Sequence, residues 1–334
     1  MWCSAVGGIV TLILGLLATP FAVQGQPAKN VPRIGFLSAA SPAALSARTE
    51  AFRQGLRELG YVAGKNIIIE WRYAEENLDR LRELAAELVR LLVRLKVEYH
   101  YHGCTVINPC CPGSNCGDSH CMGGIGGDPV EAGFVASLAR PGGNVTGLTA
   151  LAQELSGKQL ELLKELVPRL SQVAVLGTAT LPGSAQVSTE LERAAGALQV
   201  QLHYLDVRGP KDVGTAFREA RARRADAVLV LASPVLESHR TQVADLAAQH
   251  RLPTIYPFRE FVEAGGLVSY GVSIADLYRR AATYVDKILK GTKPADLPVE
   301  QPIKFELVIH LQTAEGLGLT IPPTLLFQAD QVLQ

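Results

Sequence analysis

The sequence lacks a net charge and lacks the short motifs that mark many catalytic and nucleotide-binding sites. Lys+Arg and Asp+Glu are both 32 in 334 residues, so no basic excess is present for a polyanion, and nucleic-acid binding is not indicated. The chain contains neither a GxGxxG nor a GxxxxGK(S/T) phosphate loop, and neither a GxSxG nor an HExxH motif. We therefore expect no enzyme activity, no cofactor and no metal.

Long apolar runs are also scarce, and only the N-terminus contains one that could enter a membrane. Residues 9–22 (IVTLILGLLATPFA) have the length of a signal-peptide core and are too short for a comfortable membrane span. Residues 23–25 offer small side chains for cleavage, although residues 1–8 contain no Lys or Arg. We predict a signal peptide over residues 1–25 and a periplasmic or extracytoplasmic protein. An uncleaved N-terminal anchor is the alternative.

The rest of the chain alternates short apolar runs with amphipathic stretches. Hydrophobic residues make up 48% and charged residues 19% of the sequence, which is typical of globular domains, and the length allows two of them. Alternating strands and helices predict parallel sheets with right-handed crossovers. The predicted strands are 33–38, 66–71, 144–149, 173–176, 201–207, 227–231, 254–256 and 267–270. The predicted helices are 47–60, 78–95, 154–166, 184–198, 212–223, 238–250 and 274–290.

One stretch, Asp128 to Thr149, combines several local signals. Asp128 with Glu131 forms a capping-box pattern, and apolar residues follow at helical spacing, which predicts a helix to Leu138. Pro141 and two glycines then end the helix before the strand NVTGLT. A glycine at the end of that strand permits a turn or a close backbone approach.

The same stretch, DPVEAGFVASLARPGGNVTGLT, resembles the signature of the ABC-transporter substrate-binding family that includes tryptophan- and tyrosine-type binding proteins. Four further segments match in order: RIGFLSAASP, FRQGLRELGYVAGKNIIIEWRYAEE, RADAVLVLASP and LPTIYPFREFVEAGGLVSYG. The resemblance covers roughly residues 31 to 330, apart from one segment at about 97–127.

The resemblance implies a type I periplasmic-binding fold, with two Rossmann-like lobes that close on a ligand by hinge motion. We assign residues 31–149 and about 256–334 to the first lobe, and 150–255 to the second. The implied partners are a small-molecule ligand, for which an amino acid is a candidate, and an ABC permease with its separate ATPase. A ligand-sensing domain of a receptor or regulator, and a cofactor-dependent α/β enzyme, are the alternatives on the same fold.

The segment at about 97–127 differs in character from its surroundings. It contains five of the six cysteines and three of the seven histidines, and it has no apolar periodicity. In the resembling family this position holds a strand, a small-residue loop, a helix and another strand. One legal set of codons for Glu98 to Gly124, shifted by one base, reads SIIITAAPSSTPAAQAATAETPIVWA, which follows that order. We therefore suspect a compensated frameshift.

Two other interpretations of this segment remain open. An exported protein can contain a disulfide cluster. The ligand types also suit zinc, but the order C-x5-C-C-x4-C-x3-H-C lacks the paired spacing of a zinc module. If the segment is translated as written, two central strands of the first lobe lose their apolar sequence, and we expect that lobe to be unstable.

Candidate ligand contacts follow from the rule that ligands bind beyond the carboxyl ends of parallel strands. Hydroxyls and helix N-termini at those ends suit a carboxylate, a carboxylate of the protein suits an ammonium, and tyrosines suit an aromatic part. The predicted ligand-binding residues are Ser38, Ser41, Asp128, Thr146, Gly147, Thr149, Thr178, Ser233, Pro234, Tyr256 and Tyr270. Structural roles are the alternatives: a helix cap for Asp128, an N-cap for Ser233 and a core position for Tyr256.

Overall fold

A computed structural model describes residues 31–77, 79–94, 99–102, 119–125, 128–131, 133–150, 152–181 and 183–334. The predicted signal peptide lies outside the described residues, as do four of the five clustered cysteines, at positions 104, 110, 111 and 116. None of the helices in the described part of the chain combines the length and the hydropathy of a membrane span.

Strands and helices alternate along the described chain. The strands are β1 (Arg33–Ser38), β2 (Ile68–Tyr73), β3 (Tyr99–His102), β4 (Ser119–Ile125), β5 (Val145–Thr149), β6 (Gln172–Gly177), β7 (Gln201–Asp206), β8 (Ala227–Val230), β9 (Thr254–Tyr256), β10 (Val268–Val272), β11 (Phe305–His310) and β12 (Gln331–Leu333). The helices are α1 (Ser46–Glu58), α2 (Arg80–Arg94), α3 (Ala152–Leu166), α4 (Ser184–Leu198), α5 (Pro210–Ala222), α6 (Pro234–Ser238), α7 (Arg240–Gln249), α8 (Arg259–Glu263), α9 (Ile274–Leu289), α10 (Leu311–Gly316) and α11 (Pro323–Gln328).

The strands form two sheets, which confirms the predicted α/β fold with mainly parallel strands. The first sheet has five parallel strands in the order β2-β1-β3-β4-β5. The second has seven in the order β12-β11-β10-β9-β8-β6-β7, and only the β10–β11 pair is antiparallel. We call the first sheet with its helices the first lobe, and the second sheet with its helices the second lobe.

We expected residues from about 256 onward in the first lobe, and among the described residues the segment around 294–300 and helix α9 contact it. This helix packs against α1 and β4, and its Tyr278, Ala281 and Ala282 are buried in the same core as Phe36 and Phe52. Strands β10, β11 and β12 instead extend the second sheet. They do so because β10 pairs with β9 and then offers its other edge to β11. The chain therefore passes between the lobes after β5, after β10 and before β11.

The predicted helix from Asp128 to Leu138 is wrong. The described residues of this stretch form turns and bends, with Gly133 at a φ of 74°, a left-handed conformation that a right-handed helix excludes. The apolar residues that suggested helical spacing are used differently. Val135 is buried against Val299, and Phe134, Leu138 and Val145 pack around this pair.

Strands β3 and β4 lie within the cysteine-rich segment and occupy the interior of the first sheet. β3 pairs with β1 on one side and with β4 on the other, with His100 opposite His120 and Tyr101 opposite Cys121. Cys121 is 1% exposed and belongs to the main core. Burial raises the pKa of the Cys121 thiol. Two strands are expected at this point of the family, and β3 and β4 are present there; the expected loop and helix between them lie outside the described residues.

Candidate functional site

The carboxyl ends of β1 and β2 in the first lobe face the segment after β8 in the second lobe. The Ser41 hydroxyl donates to the Ser238 hydroxyl over 3.5 Å. Nδ1 of His239 lies 3.5 Å from a carboxylate oxygen of Glu76, which follows β2. All four side chains are partly exposed. This contact brings together the two edges at which a parallel sheet offers its helix N-termini and loops to a ligand.

Helix α6, which the sequence reading did not predict, supplies the second-lobe side of this contact. It begins at Pro234, whose fixed φ and missing N–H suit a first helical position. Ser233 precedes it in extended conformation, and its side chain caps no helical N–H. Ser233 therefore occupies the predicted N-cap position, but its hydroxyl does not cap the helix. The predicted helix 238–250 is α7, which starts two residues later than expected.

The hydroxyl of Ser233 instead pairs with Thr178 at the end of β6. Thr178 donates to the Val207 carbonyl over 2.6 Å, and its oxygen lies 2.8 Å from that of Ser233. Because Thr178 has only one hydroxyl proton, Ser233 is the donor in this pair. Both side chains are buried. The pair fixes the carboxyl ends of β6 and β8 side by side, directly behind α6.

In the first lobe, Ser38 and Ser41 shape the loop after β1. The Ser38 hydroxyl accepts from the backbone N–H of Ala40 over 3.2 Å, and the side chain is 3% exposed. The Ser41 hydroxyl accepts from the N–H of Ala44 over 3.4 Å in addition to its contact with Ser238. These are local turns of the kind that serine favours. They position Ser41, the more exposed of the two, at the facing edge.

An ion-paired cluster lies between the lobes beside this edge, and we call Arg48, Glu237, Phe258 and Glu260 the inter-lobe cluster. The Arg48 guanidinium donates to Glu237 over 2.8 Å and to Glu260 over 3.4 Å. Its carbon lies 4.8 Å from the centre of the Phe258 ring. The Arg48 and Glu237 side chains are each only 5% exposed. The sequence reading missed this cluster, since its charged members are scattered over the chain.

Two members of the inter-lobe cluster, Glu237 and Arg48, have pKa values shifted by their surroundings. Burial raises the pKa of Glu237 above its ordinary value, although Arg48 acts to lower it. For Arg48, burial acts to lower the pKa, but Glu237 and Glu260 outweigh it, and the pKa is raised. The second carboxylate oxygen of Glu237 is buried without a hydrogen-bond partner among the described residues. The pairing is therefore incomplete and the cluster carries an excess of acidic groups.

Three of the predicted ligand-binding residues lie on β5 and form hydrogen bonds to the segment that passes from the first lobe to the second. The Thr146 hydroxyl donates to the Leu297 carbonyl over 2.6 Å and is fully buried. The N–H of Thr149 donates to the Glu300 carbonyl, and the Glu300 N–H donates to the carbonyl of Gly147, which adopts a φ of 138°. These bonds tie β5 to the segment that leads to β11. The structure thus gives all three residues a structural role at the junction of the lobes.

Asp128 and the two tyrosines make contacts other than the Ser41–Ser238 pair. Asp128 is half-buried, and its carboxylate accepts from the N–H of Val130 over 2.7 Å in a local turn. Tyr256 is fully buried and stacks on Phe261 with ring centres 4.9 Å apart. Burial raises the pKa of Tyr256. Tyr270 is partly buried on β10, and its carbonyl accepts from Gln159.

Other ligand chemistry finds little support in the described part of the chain. No group of three or more His, Cys, Asp and Glu side chains is arranged there for a metal ion. An open depression of about 520 Å³ lies where Ser171 precedes β6 and Gln201 begins β7, at the amino ends of those strands. It contains none of the predicted ligand contacts.

Comparisons with known proteins converge on one family. A family model described as "ABC transporter substrate binding protein" matches residues 121–333. A tyrosine-binding protein of Clostridioides difficile (strain R20291) is 24% identical over 292 residues, which cover 87% of this chain and 82% of that protein.

Solved structures agree with this match. The crystal structure of an ABC domain in complex with L-Trp, from Streptococcus pneumonia, is 26% identical with a TM-score of 0.78, covering 90% of this chain and 99% of that one. A conserved domain protein from Vibrio cholerae is 25% identical with a TM-score of 0.80 over the same shares. The matched family model spans more than half of the sequence, and the fold agrees with that of these structures. The chain belongs to the ABC transporter substrate-binding protein family.

Proposed function

We propose that this protein is the extracytoplasmic solute-binding component of an ABC importer and binds a small ligand between its two lobes. The observation that carries the proposal is the facing of the β1 and β8 carboxyl ends through Ser41 and Ser238. Ligands of doubly wound sheets bind at such ends, and hinge closure encloses them. The N-terminal apolar stretch of residues 9–22 supports export.

The proposed ligand is an amino acid with an aromatic side chain. Two relatives support this class, one named for tyrosine binding and one solved with L-Trp. On the chain itself, the partly exposed side chains at the facing edge are hydroxyls, a carboxylate and an imidazole: Ser41, Glu76, Ser238 and His239. Hydroxyls suit the carboxylate of an amino acid, and the Glu76 carboxylate suits its ammonium. The remaining predicted contacts stay proposals of lower rank, because most of their polar groups form hydrogen bonds within the protein.

The proposed partners are a membrane permease and a separate ATPase. The sequence contains no GxxxxGK(S/T) loop with which this chain could bind ATP itself. The chain is expected to touch the membrane only through the permease or through an uncleaved N-terminal segment.

A ligand screen by thermal unfolding tests the proposal. Purified protein is melted with each of the standard amino acids over a range of concentrations, and L-Trp and L-Tyr are expected to raise the Tm. The stabilisation should grow with ligand excess and reach about 2.7 kcal/mol at a hundredfold excess over Kd. D-tryptophan and indole serve as matched controls. D-tryptophan has the opposite configuration at the α-carbon, and indole lacks the charged amino and carboxylate groups. A well-folded protein that no amino acid stabilises would overturn the proposal.

A variant pair locates the site. Glu76→Gln should weaken binding at least about tenfold, since it removes the charge proposed to pair with the ligand ammonium. Glu70→Gln, on β2 and paired with Arg33 at the other end of the strand, should leave affinity unchanged. Equal affinities for the two variants would place the ligand elsewhere.

A further inference from the structure

We propose that the free edge of β7 is an interface at which two copies of this chain pair their second sheets antiparallel about a two-fold axis. β7 is the last strand of the second sheet, and among the described residues it pairs only with β6. The edge lies within the second lobe. The pairing therefore requires neither a ligand nor any particular arrangement of the two lobes, and it is separate from the proposed ligand binding.

The backbone of β7 directs half of its hydrogen-bonding groups to the free edge. The N–H groups of Gln201 and Val207 donate to the carbonyls of Ser171 and Gly177 on the β6 side, each over 2.8 Å. Backbone direction alternates with a period of two along a strand, so the other odd-numbered residues of β7 also face β6. The outward-facing backbone groups belong to Leu202, Tyr204 and Asp206.

The edge strand of the first sheet is protected in a way that β7 is not. β2 also has six residues, and the N–H groups of Ile68 and Ala74 donate toward β1, so the odd-numbered residues between them face the free edge. There the Arg72 guanidinium donates to the Trp71 carbonyl over 2.9 Å. Charged side chains and prolines commonly protect an edge against strand addition. β7 contains no Lys, Arg or Pro, so its edge lacks this protection.

A two-fold axis at His203 pairs the outward-facing groups with each other. Leu202 then lies opposite Tyr204 of the second copy, and each of the two equivalent pairs exchanges two backbone hydrogen bonds, about four in all. Directly opposite side chains share a face of the sheet, which requires an axis centred on a residue. An axis at Tyr204 would set the Leu202 side chain against the carboxylate of Asp206. The axis at His203 is therefore favoured.

The side chains of this register complement each other. Tyr204 is 40% exposed, and its hydroxyl donates to the Ser188 carbonyl of α4 over 3.2 Å, which fixes the ring on the α4 face of the sheet. Leu202 is half-buried and packs against the core under α4. Cross-strand pairs of an aromatic and an aliphatic side chain stabilise antiparallel strands. The interface contains this pair twice.

The open depression beside β7 adds charge complementarity. It is lined by the last turns of α4 and the start of β7, with Glu192 and Gln199 among its residues. Antiparallel pairing carries the segment after Asp206 of the second copy, with the exposed Arg208, past this start. A carboxylate and the carbonyl end of a helix both favour a cation. The depression therefore suits the Arg208 guanidinium of the second copy.

Sedimentation velocity on the purified full chain, over an about hundredfold range of concentration, tests the interface. The wild-type protein is expected to form a dimer that dissociates on dilution. Tyr204→Lys should raise the dimer Kd at least about tenfold, since it places a charge on the edge opposite Leu202. Phe327→Lys is the matched control and should leave the dimer unchanged. Phe327 is 93% exposed on α11, which leads into β12 at the opposite end of the same sheet.

A disulfide tests the register. With the axis at His203, the Cα atoms of this residue in the two copies are about 4.5 Å apart, which suits a disulfide. After oxidation of the His203→Cys variant, peptide mass spectrometry should show position 203 linked to itself. Gln201→Cys should give no such self-link, because Gln201 lies opposite Leu205 of the second copy.

The outcomes that would overturn the interface are distinct. They are a wild-type monomer at every concentration, an equal dimer Kd for Tyr204→Lys and wild type, loss of the dimer in Phe327→Lys, and a self-link at position 201 in place of 203. If Tyr204→Lys loses its circular dichroism signal, the self-link at position 203 decides. The dimer is expected with and without amino acids, so a failed ligand screen would leave it standing.

Discussion

Gly55 of α1 lies against the carbonyl of Arg279 on α9 so closely that a Cβ at position 55 would stand 2.4 Å from that oxygen. It would also lie 2.9 Å from the Cβ of Ala282. The close packing of α1 against α9 in the core of the first lobe therefore depends on the absence of a side chain at this point. Backbone approach of this kind is available only to glycine.

Replacement of Gly55 by alanine should destabilise the protein, because either the helices separate or the backbone shifts. We expect a loss of about 2–3 kcal/mol, measured by urea unfolding. Gly196→Ala is the matched control: this residue lies within α4, and a Cβ there meets nothing within 4 Å. It should stabilise the protein by about 0.5–1 kcal/mol through helix propensity. A destabilisation of equal size in both variants would contradict the close crossing.

The hydrogen bond from Thr146 to Leu297 predicts a cost for a substitution of equal shape. Thr146→Val keeps the volume of the side chain but leaves a buried carbonyl without its donor, at about 1–3 kcal/mol. The Tm should fall by about 2–4 °C per kcal/mol. Thr320→Val, at an exposed position, should have little effect. Equal Tm values for the two variants would mean that this hydrogen bond does not hold β5 to the segment before β11.

Asp226 should make the second lobe sensitive to acid. Its carboxylate accepts from the N–H groups of Ser171 and Gln172 and from the Ser171 hydroxyl at 2.8–2.9 Å. Burial acts to raise the pKa of Asp226, but these hydrogen bonds outweigh it, and the pKa is lowered. A lowered folded-state pKa gives stability that is present above the unfolded value of about 3.9 and is lost as pH falls through the folded value.

The variant Asp226→Asn should therefore melt about 2 °C below wild type at pH 7, and the difference should vanish at the lowest pH at which both fold. The group is largely hydrated, so a small effect is expected. Asp245→Asn on the exposed face of α7 is the control. A Tm difference that persists unchanged into acid would mean that the charge of Asp226 does not matter.

We propose that the cysteine-rich segment arises from a compensated frameshift, and the register of the first sheet supports this reading. With the set of codons chosen above, the shifted frame has isoleucines at positions 99–101 and Ile, Val and Trp at positions 120–122, which fall within β3 and β4. Interior strands of parallel sheets are covered on both faces and are typically continuous apolar runs. The matched family region begins at residue 121, within the last seven residues of this segment.

Sequencing of the DNA over codons 96 to 128 is the direct measurement, and the alternative frame is expected. A synthetic gene with the alternative frame should also give a protein with a Tm at least about 5 °C higher than the chain as written, because several apolar side chains enter the core. If the bases stand as translated and the chain as written melts as high as the alternative, the frameshift proposal is wrong.

Much of the fold could be predicted from local pattern. Apolar runs of four to six residues gave β1, β6 and β8, and amphipathic spacing gave α1, α4 and α9, since these periods reflect which face is buried. The same reasoning failed at Asp128 to Leu138. The apolar spacing is present there, but its residues pack around Val299. That residue lies more than 160 positions beyond Leu138 in the sequence.

The candidate site was predictable only in part. The ends of β1 and β8 could be recognised from the sequence, and Ser41 lies at the facing edge as expected. Thr146, Thr178 and Ser233 have the correct residue types, but their hydroxyls satisfy neighbouring backbone and side-chain groups. A hydroxyl at a strand end can serve a ligand or the fold, and the sequence does not distinguish the two.

Local patterns in the amino-acid chain are sufficient for the class of the protein: the alternation of strands and helices, the two-sheet architecture and the family. Hydrophobic periodicity and ordered motifs each depend on neighbouring residues. The pairing of β10 to β12 with the second sheet, and the contact of Arg48 with Glu237, 189 residues further along the chain, were found only in the folded protein. Strand pairing and charge pairing at such separation depend on which surfaces remain exposed after the lobes have formed, and that information is not contained in any local stretch.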